Sequence, residues 1–446
     1  MKNFELKFHI NPDVNPVAQP ERRIPFHIRA NVDEELDNLT KAGIIEPCIG
    51  PNPWVSPLVV TPKPKNPEEV RLCVNMRVPN TATIRERHSM PTSNELVHKL
   101  NGAKVFSKLD LRHGYHQILL ASESRYLTTF RTHKGLHRYV RLNYGTSAAS
   151  EVFQHAISKA LAGIDGVINI SDDILIFGTT QAAHDKALQM VFERLHETGL
   201  TLNKAKCAYN KSTLAFFGLT FSADGVSPDP KKVEAIANAP RPTNISGVRS
   251  LQDMTNYCSK FIVNYASLTA PLRELTKKNT PFQWRPSHKN AWVKLKTALT
   301  SAPVMAYFDT GKCTELTVDA SPTGLGAILQ QHSFSRNNHK IIAYASRALS
   351  PVEQRYSQTE REALAIVWAM ERFHIYLYGT RFVLHTDHKP LELICNNPNS
   401  KPPARIERWF LRLHKYNFTV KYRPGISCDH TTSHKTRNAL IPSLSW

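Results

Sequence analysis

Residues 167–170 (Val-Ile-Asn-Ile) and 174–177 (Ile-Leu-Ile-Phe) are short apolar runs separated only by Ser171, Asp172 and Asp173. Two such runs joined so tightly pair as an antiparallel hairpin. Ile170 and Ile174 bracket the turn closely enough that both carboxylates must project from the end of a buried ribbon. Turns favour aspartate for its own sake, so this pair alone is compatible with a structural turn. A third carboxylate adds to it: Asp110 ends residues 105–110, whose alternation is that of another strand.

Charge tells what such a group could hold. Lysine plus arginine number 57 against 37 aspartate plus glutamate, a formal net charge of +20. A surface this basic suits a polyanion, because each phosphate neutralised releases condensed counterions. Carboxylates at the mouth of a sheet in such a chain invite divalent metal and phosphate. In a two-metal site the ions sit about 3.5–4 Å apart and clamp the attacking and leaving oxygens of an in-line displacement. That is metal-assisted phosphoryl transfer, and it fits synthesis and cleavage equally.

Other classes fall away. With 446 residues, 41% of them hydrophobic, the chain can build packed cores and is no disordered or fibrous protein. The longest apolar runs, 174–177 and 363–370, are far shorter than the ~20 residues that span a bilayer, so no membrane partner is expected. The N-terminus has no signal-peptide core. Seven cysteines without a C-x-x-C pair support neither a zinc site nor a disulfide framework, and suggest a reducing compartment.

Along the chain, 1–30 is Pro-rich and extended, and helices are expected at 32–42, 92–100, 147–161 and 181–198. Strands are expected at 56–61 and 70–74, with hairpins at 126–142 and 206–222. From Ser227 the pattern becomes helices broken by Pro240, Pro242 and Pro271, then a helix at 287–299. After Glu315 come three strands, a helix at 359–374 and a returning strand at 382–386, a compact α/β unit. Here Asp319 and Asp387 each end a strand. Glu362 lies on an inward stripe with Ile366, Ala369 and Phe373, where a carboxylate is costly unless paired or metal-bound. An exposed first-turn glutamate favoured by the helix dipole is the alternative.

From about Pro25 to Gly425 the chain resembles the reverse transcriptase–ribonuclease H segment of gypsy-type LTR retrotransposon Pol polyproteins. The likeness rests on Trp54-Val-Ser-Pro57, Arg71-Leu-Cys-Val-Asn-Met-Arg77, Phe106-Ser-Lys-Leu-Asp110 with Gly114-Tyr-His-Gln117, Phe153-Gln154, Ile170-Ser-Asp-Asp173 and Phe217-Gly218. In the C-terminal part it rests on Val318-Asp-Ala-Ser321 with Gly324-Leu-Gly-Ala327, Thr359-Glu-Arg-Glu-Ala-Leu-Ala365 and Thr386-Asp-His-Lys-Pro390. The resemblance implies an α+β and α/β multidomain chain: a right-hand polymerase of fingers, palm and thumb, then a ribonuclease H-like domain. By it, 1–30 is a lead-in, 31–225 fingers and palm, 226–300 a helical thumb or connection, 301–432 the nuclease-like domain and 433–446 a polar tail.

The same resemblance assigns roles. Asp110, Asp172 and Asp173 would hold two Mg2+ ions of the polymerase, with Mn2+ as substitute. Arg71 and Lys63 or Lys65 would touch the incoming triphosphate, a guanidinium suiting phosphate well. Tyr115 would exclude a 2′-hydroxyl, unless it is plain core packing, with Tyr144 keeping an aromatic in reach. Gln154 would lie near the template, and Phe217 and Gly218 would support the primer terminus. Asp319, Glu362 and Asp387 would bind the nuclease metals, with Glu360 the alternative to Glu362 and Asp429 a candidate fourth carboxylate. The implied partners are RNA template, DNA primer, RNA–DNA hybrid and dNTPs, with other Pol or Gag products, in a cytoplasmic particle or the nucleus.

The chain departs from the family pattern at Asn75 for aspartate, Ile170 for an aromatic, Asn143-Tyr144-Gly145 for Pro-Phe-Gly, Ser150 for proline, Gln252-Asp253 for a Leu-Gly-like pair, and after Gly425. With no protease motif before the polymerase and no integrase motif after it, a fragment, a processed product or a decayed copy is expected. The alternative to the working enzyme is a catalytically weak remnant that still binds nucleic acid.

Overall fold

The computed structural model describes residues 1–424 apart from 3, 64, 65, 87, 89, 334, 335, 398 and 399. The chain divides into two compact units between Leu214 and Ala215, within the expected 31–225 segment.

In chain order the first unit contains α1 (Arg29–Lys41), β1 (Ile45–Pro47), β2 (Ser56–Lys63), β3 (Asn66–Val74), α2 (Ser93–Lys99), β4 (Val105–Asp110), β5 (Phe130–Thr132) and β6 (Gly135–Tyr139). It continues with α3 (Ala149–Ala160), β7 (Val167–Ile170), β8 (Asp173–Gly178), α4 (Gln181–Thr198) and β9 (Ala208–Lys211). One sheet has the order β1-β6-β5-β2-β3 and the other β7-β8-β4-β9. The capping pattern at 92–95 is real: Thr92 accepts from the Glu95 amide and the Glu95 carboxylate accepts from the Thr92 amide. Helix α4 stops at Gly199, whose φ of 68° gives a left-handed cap that other residues adopt at a cost.

The second sheet matters most. Its central strand β4 is antiparallel to β8 and β9, and the register sets Asp173 opposite Asp110. The β7–β8 hairpin sets Ile170 opposite Asp173. Phe106, Leu109, Ile174 and Ile176 are fully buried in these strands, each worth roughly 1.5–3 kcal/mol of transfer free energy. The apolar sheet therefore fixes its carboxylate-bearing end.

Strand β10 (Thr213–Phe216) straddles the boundary and forms a three-stranded sheet with β11 (Leu219–Ser222) and β12 (Gly225–Pro228). Helices α5 (Pro230–Ala237), α6 (Ile245–Asn256), α7 (Tyr265–Glu274) and α8 (Pro286–Thr300) follow. The last sheet contains β13 (Cys313–Ala320), β14 (Gly324–Ser333), β15 (Arg336–Ala348), β16 (Arg381–Thr386) and β17 (Asn417–Tyr422). Its order is β15-β14-β13-β16-β17, antiparallel across β13–β15 and parallel across β13, β16 and β17. Helix α9 (Gln358–Arg372) packs on β13 and β14 through a core that includes Ala363, Ile366 and Met370. Helices α10 (Lys389–Asn396) and α11 (Ala404–Leu411) complete the unit.

Four expectations need correction. Residues 122–128 form a 3-10 run rather than the start of a strand; the Thr128 hydroxyl donates to the Arg125 carbonyl at 2.7 Å and competes with sheet pairing. The expected 206–222 hairpin is split: β9 joins β4, and the turn falls at Phe217-Gly218, where φ is 50° and 69°. Pro271 lies inside α7 without breaking it, the helix being held by burial of Ala266, Thr269 and Leu272. Strand β17 was missed, although Phe418, Val420 and Tyr422 alternate as a strand requires. Among the described residues, Cys48, Cys73, Cys207, Cys258, Cys313 and Cys395 are free thiols, and no helix is long and apolar enough to cross a membrane.

Candidate active sites

At the end of the β7-β8-β4-β9 sheet, Asp172 sits in the hairpin turn beside Ser171, whose φ of 54° is strained for a residue with a Cβ. Gln154 on α3 relieves that strain. Its Oε1 accepts from the Ser171 amide at 2.7 Å and its Nε2 donates to the Asn169 carbonyl at 2.9 Å. Gln154 is 2% exposed, so it clamps the aspartate turn from behind. The resemblance sets Gln154 near the template; both ends of its amide are engaged within the protein.

Lys108, two residues before Asp110 on the same strand face, donates to Asp173 at 2.8 Å. Lys206 lies 3.6 Å from Asp110. Burial raises the Asp173 carboxyl above its usual range; Lys108 opposes this, and the charges of Asp172 and Asp110 add to it. A carboxylate held against its own charge beside two others, with only oxygen donors, fits a hard dication. Gly114 packs against the turn so closely that an added Cβ would stand 3.2 Å from the Asp172 Cβ. Sequence reasoning passed over Lys108 and Gly114 as site residues, although the period-2 spacing of Lys108 and Asp110 was visible.

Tyr115 is half-buried between Tyr144 at 5.0 Å and Phe153 at 5.2 Å between ring centroids. Burial and the Asp172 charge push both tyrosine hydroxyls up, while the Arg71 charge pulls Tyr144 back. Arg71, Tyr115, Tyr144 and Asp172 are therefore gathered at one place. Lys63 ends β2, and Lys65 lies outside the described residues. In the second unit, the Phe217 carbonyl accepts from the Tyr257 hydroxyl, and Lys232 lies over the Tyr257 ring at 3.9 Å, beside Gly218.

Two of the departures are locally satisfied, whereas the Gln252 amide nitrogen is buried without a hydrogen-bond partner. Asn143 is buried, donates to the Tyr144 carbonyl and accepts from the Thr146 hydroxyl, so hydrogen bonds replace the missing proline ring. Asn75 accepts from the Arg77 amide, and Asp253 is solvent-exposed. A Ser107–His184–Asp185 hydrogen-bonded chain (2.8 and 2.9 Å) has the order of a hydrolase triad. Ser107 and His184 are fully buried, so it ties β4 to α4 instead.

The second site is tighter. Asp319 on β13, Glu362 on α9 and Asp387 just after β16 bring ligand oxygens within 4.8 Å of one another, the only set of three with metal-ligand side chains that does so among the described residues. Glu362 is 1% exposed. Its Oε1 accepts from Gln358 Nε2 at 2.6 Å, whereas its Oε2 is buried with no hydrogen-bond partner. Burial, then the charges of Asp387 and Asp319, push this carboxyl up to about 8. A buried carboxyl oxygen without a partner, facing two more carboxylates, fits a dication. Glu360, the alternative, instead caps α9 at Ser357 and pairs with Arg405 at 2.7 Å. Asp429 lies outside the described residues.

The model of the family "reverse transcriptase (RNA-dependent DNA polymerase)" matches residues 62–221, and that of the RNase H-like domain found in reverse transcriptase matches 309–416. The retrovirus-related Pol polyprotein from transposon 412 of Drosophila melanogaster is 34% identical over 420 residues, covering 93% of this chain and 33% of that protein. The Pol polyprotein from transposon gypsy of the same species is 34% identical over 412 residues, covering 88% and 39%. The transposon Tf2-3 polyprotein of Schizosaccharomyces pombe is 30% identical over 403 residues, covering 90% and 30%. The chain thus spans roughly a third of the length of these curated relatives. In fold it matches a foamy viral protease-reverse transcriptase in complex with double-stranded DNA, with TM-score 0.81, 20% identity, and coverage of 93% of this chain and 72% of that one. A foamy viral protease-reverse transcriptase in complex with RNA/DNA hybrid gives 0.75, 21%, 96% and 58%. With a reverse transcriptase domain, an RNase H-like domain and relatives 30–34% identical along 88–93% of its length, the chain belongs to the reverse transcriptase–ribonuclease H segments of LTR retrotransposon Pol polyproteins.

Proposed function

We propose that the chain is an RNA-directed DNA polymerase joined to a ribonuclease H that cleaves the RNA strand of RNA–DNA hybrids. The observation that carries this is the presence of two separate all-carboxylate groups, one at the end of the β4–β8 ladder and one around Glu362. The substrates are an RNA template, a DNA primer and dNTPs. In synthesis, the primer 3′-hydroxyl oxygen bonds to the α-phosphorus and pyrophosphate leaves. Asp110, Asp172 and Asp173 are the ligands for two Mg2+ ions, or Mn2+ in their place, which when bound neutralise phosphate charge and acidify the hydroxyl. Arg71 takes the triphosphate. Tyr115, wedged between Tyr144 and Phe153, gives a fixed edge against a 2′-hydroxyl. Lys63, Phe217 and Gly218 keep their implied substrate contacts.

In cleavage, Asp319, Glu362 and Asp387 hold the metals, and Glu362 must give up its proton to do so. Recognition through backbone shape and 2′-hydroxyls suits a basic chain. The same reading puts the protein with other Pol or Gag products, in a particle or the nucleus. The weak-remnant alternative draws on the departures from the family pattern, and the hydrogen bonds of Asn143 and Asn75 weaken that support.

The test is primer extension on an RNA template, in magnesium and then manganese, beside hybrid cleavage and an Asp172→Asn control. The expected result is extension by the wild type, none by Asp172→Asn, and cleavage by both. Loss of cleavage in Asp172→Asn would refute two independent sites. No extension by the wild type, with tight hybrid binding kept, would establish the remnant.

A further inference from the structure

The strand that carries Asp319 also carries Glu315, four residues earlier and so on the same face. Three imidazoles surround its carboxylate, each from a different strand. His332 on β14 places Nε2 3.4 Å from Glu315 Oε1. His339 on β15 places Nδ1 3.3 Å, and His385 on β16 places Nε2 3.5 Å, from Oε2. Gln330 Nε2 donates to Oε2 at 2.8 Å.

A plain ion-pair network explains part of this arrangement and leaves one fact over. His385 is 8% exposed; its Nδ1 is buried with no hydrogen-bond partner, and its Nε2 reaches only the Glu315 carboxylate, at 3.5 Å. A buried imidazole normally settles its tautomer through such a bond, and leaving a polar group unsatisfied costs about 1–3 kcal/mol. The spacing is informative as well. With metal–ligand bonds of about 2.0–2.1 Å, neighbouring ligand atoms of a tetrahedral zinc site lie roughly 3.3 Å apart. The three N···O separations match that edge length, whereas no three of these four donors yet lie within 4.8 Å of one another, so the nitrogens must still close in.

We propose that Glu315, His332, His339 and His385 bind one transition-metal dication of zinc type, at a site separate from the Asp319–Glu362–Asp387 centre. Three nitrogen donors and one carboxylate select zinc, copper, nickel or cobalt over magnesium and manganese. The imidazoles now approach the carboxylate from several sides and do not converge on one point. Capture therefore swings His332 and His339, whose side chains are 20% and 34% exposed, onto the more buried Glu315 and His385. Cysteine spacing gave no hint of such a site, because every donor comes from a different strand. A bound ion would clip β13, β14, β15 and β16 together, two residues before Asp387.

The experiment uses the full chain with Asp319→Asn and Glu362→Gln, so that the carboxylate centre cannot take zinc. Equilibrium dialysis against Zn2+ in excess Mg2+ is expected to leave one equivalent bound. Co2+ in its place should show the intense visible bands of tetrahedral coordination. Adding His332→Ala with His339→Ala, or Glu315→Gln, should weaken uptake by at least the roughly 10–100-fold that loss of a mere outer-shell partner costs, with circular dichroism reporting the fold. Should the double variant unfold, His339→Ala alone on its partly exposed strand gives the same readout. No zinc retained in excess magnesium, or retention indifferent to these substitutions, overturns the proposal.

Discussion

The Asp172 turn is positioned by Gln154, through hydrogen bonds, and by Gly114, through close packing. Gln154→Leu keeps the volume and leaves the Ser171 amide and Asn169 carbonyl without their partner, at about 1–3 kcal/mol for each buried group. Primer extension should fall well below hybrid cleavage in that variant, with a lowered melting temperature; equal losses in both activities would refute the clamp. Gly114→Ala tests position without stability. Gly114 has no positive φ, so its only penalty is the Cβ standing 3.2 Å from Asp172 and 3.7 Å from Phe153. Extension should drop about tenfold or more, since misplacements near 1 Å cost up to roughly 100-fold, while melting stays close to wild type. Extension at the wild-type rate would mean the turn yields. The carboxylates were legible in the sequence because the chemistry demands that residue type there. The direction of a side chain was not, and nothing in the sequence shows that Gln154 turns inward to hold the Ser171 amide and the Asn169 carbonyl.

Helix α9 carries the clearest pH signature. The Glu362 carboxyl titrates near 4.5 in an unfolded chain and is pushed up to about 8 in the metal-free fold. Between those values the folded state holds a proton that the unfolded state has lost. The contribution is therefore full below about 4.5 and lost as pH rises through about 8. Metal-free Glu362→Gln should lack that decline and gain on the wild type by a few kcal/mol at the alkaline end, as denaturant midpoints across pH will measure. Magnesium uptake at this site should release a proton and tighten with pH up to about 8; a flat pH dependence would contradict the buried, protonated state. At this scale helices were legible wherever a cap and a stripe coincided, as at Thr92–Glu95 and along α9. Residues 122–128 and Pro271 misled because side-chain hydrogen bonds in one case, and burial in the other, outweighed local preference. β17 escaped because its inward Phe418 and Val420 alternate with polar Asn417, Thr419 and Lys421, a composition that resembles a loop.

Across the whole chain the net charge of +20 suits a polyanionic partner. Hybrid binding should weaken steeply and log-linearly with salt, by about 10³–10⁵ between 50 and 200 mM if six to ten phosphates are engaged. Filter binding across salt would show it, and a shallow slope would count against a phosphate-tracking surface. The order of the strands in the β7-β8-β4-β9 sheet carries a further consequence, for synthesis on the ribosome. Strand β4 finds one neighbour about 60 residues later and the other about 100 residues later. At roughly 5–20 residues per second, Asp110 emerges several seconds before Asp173 can stand opposite it, and loop closure of that length slows the pairing further. A nascent chain ending before Lys211 leaves β4 without its second neighbour. The candidate site is thus incomplete until the sheet is, and a growing chain displays its first aspartate long before the partners that would make it useful.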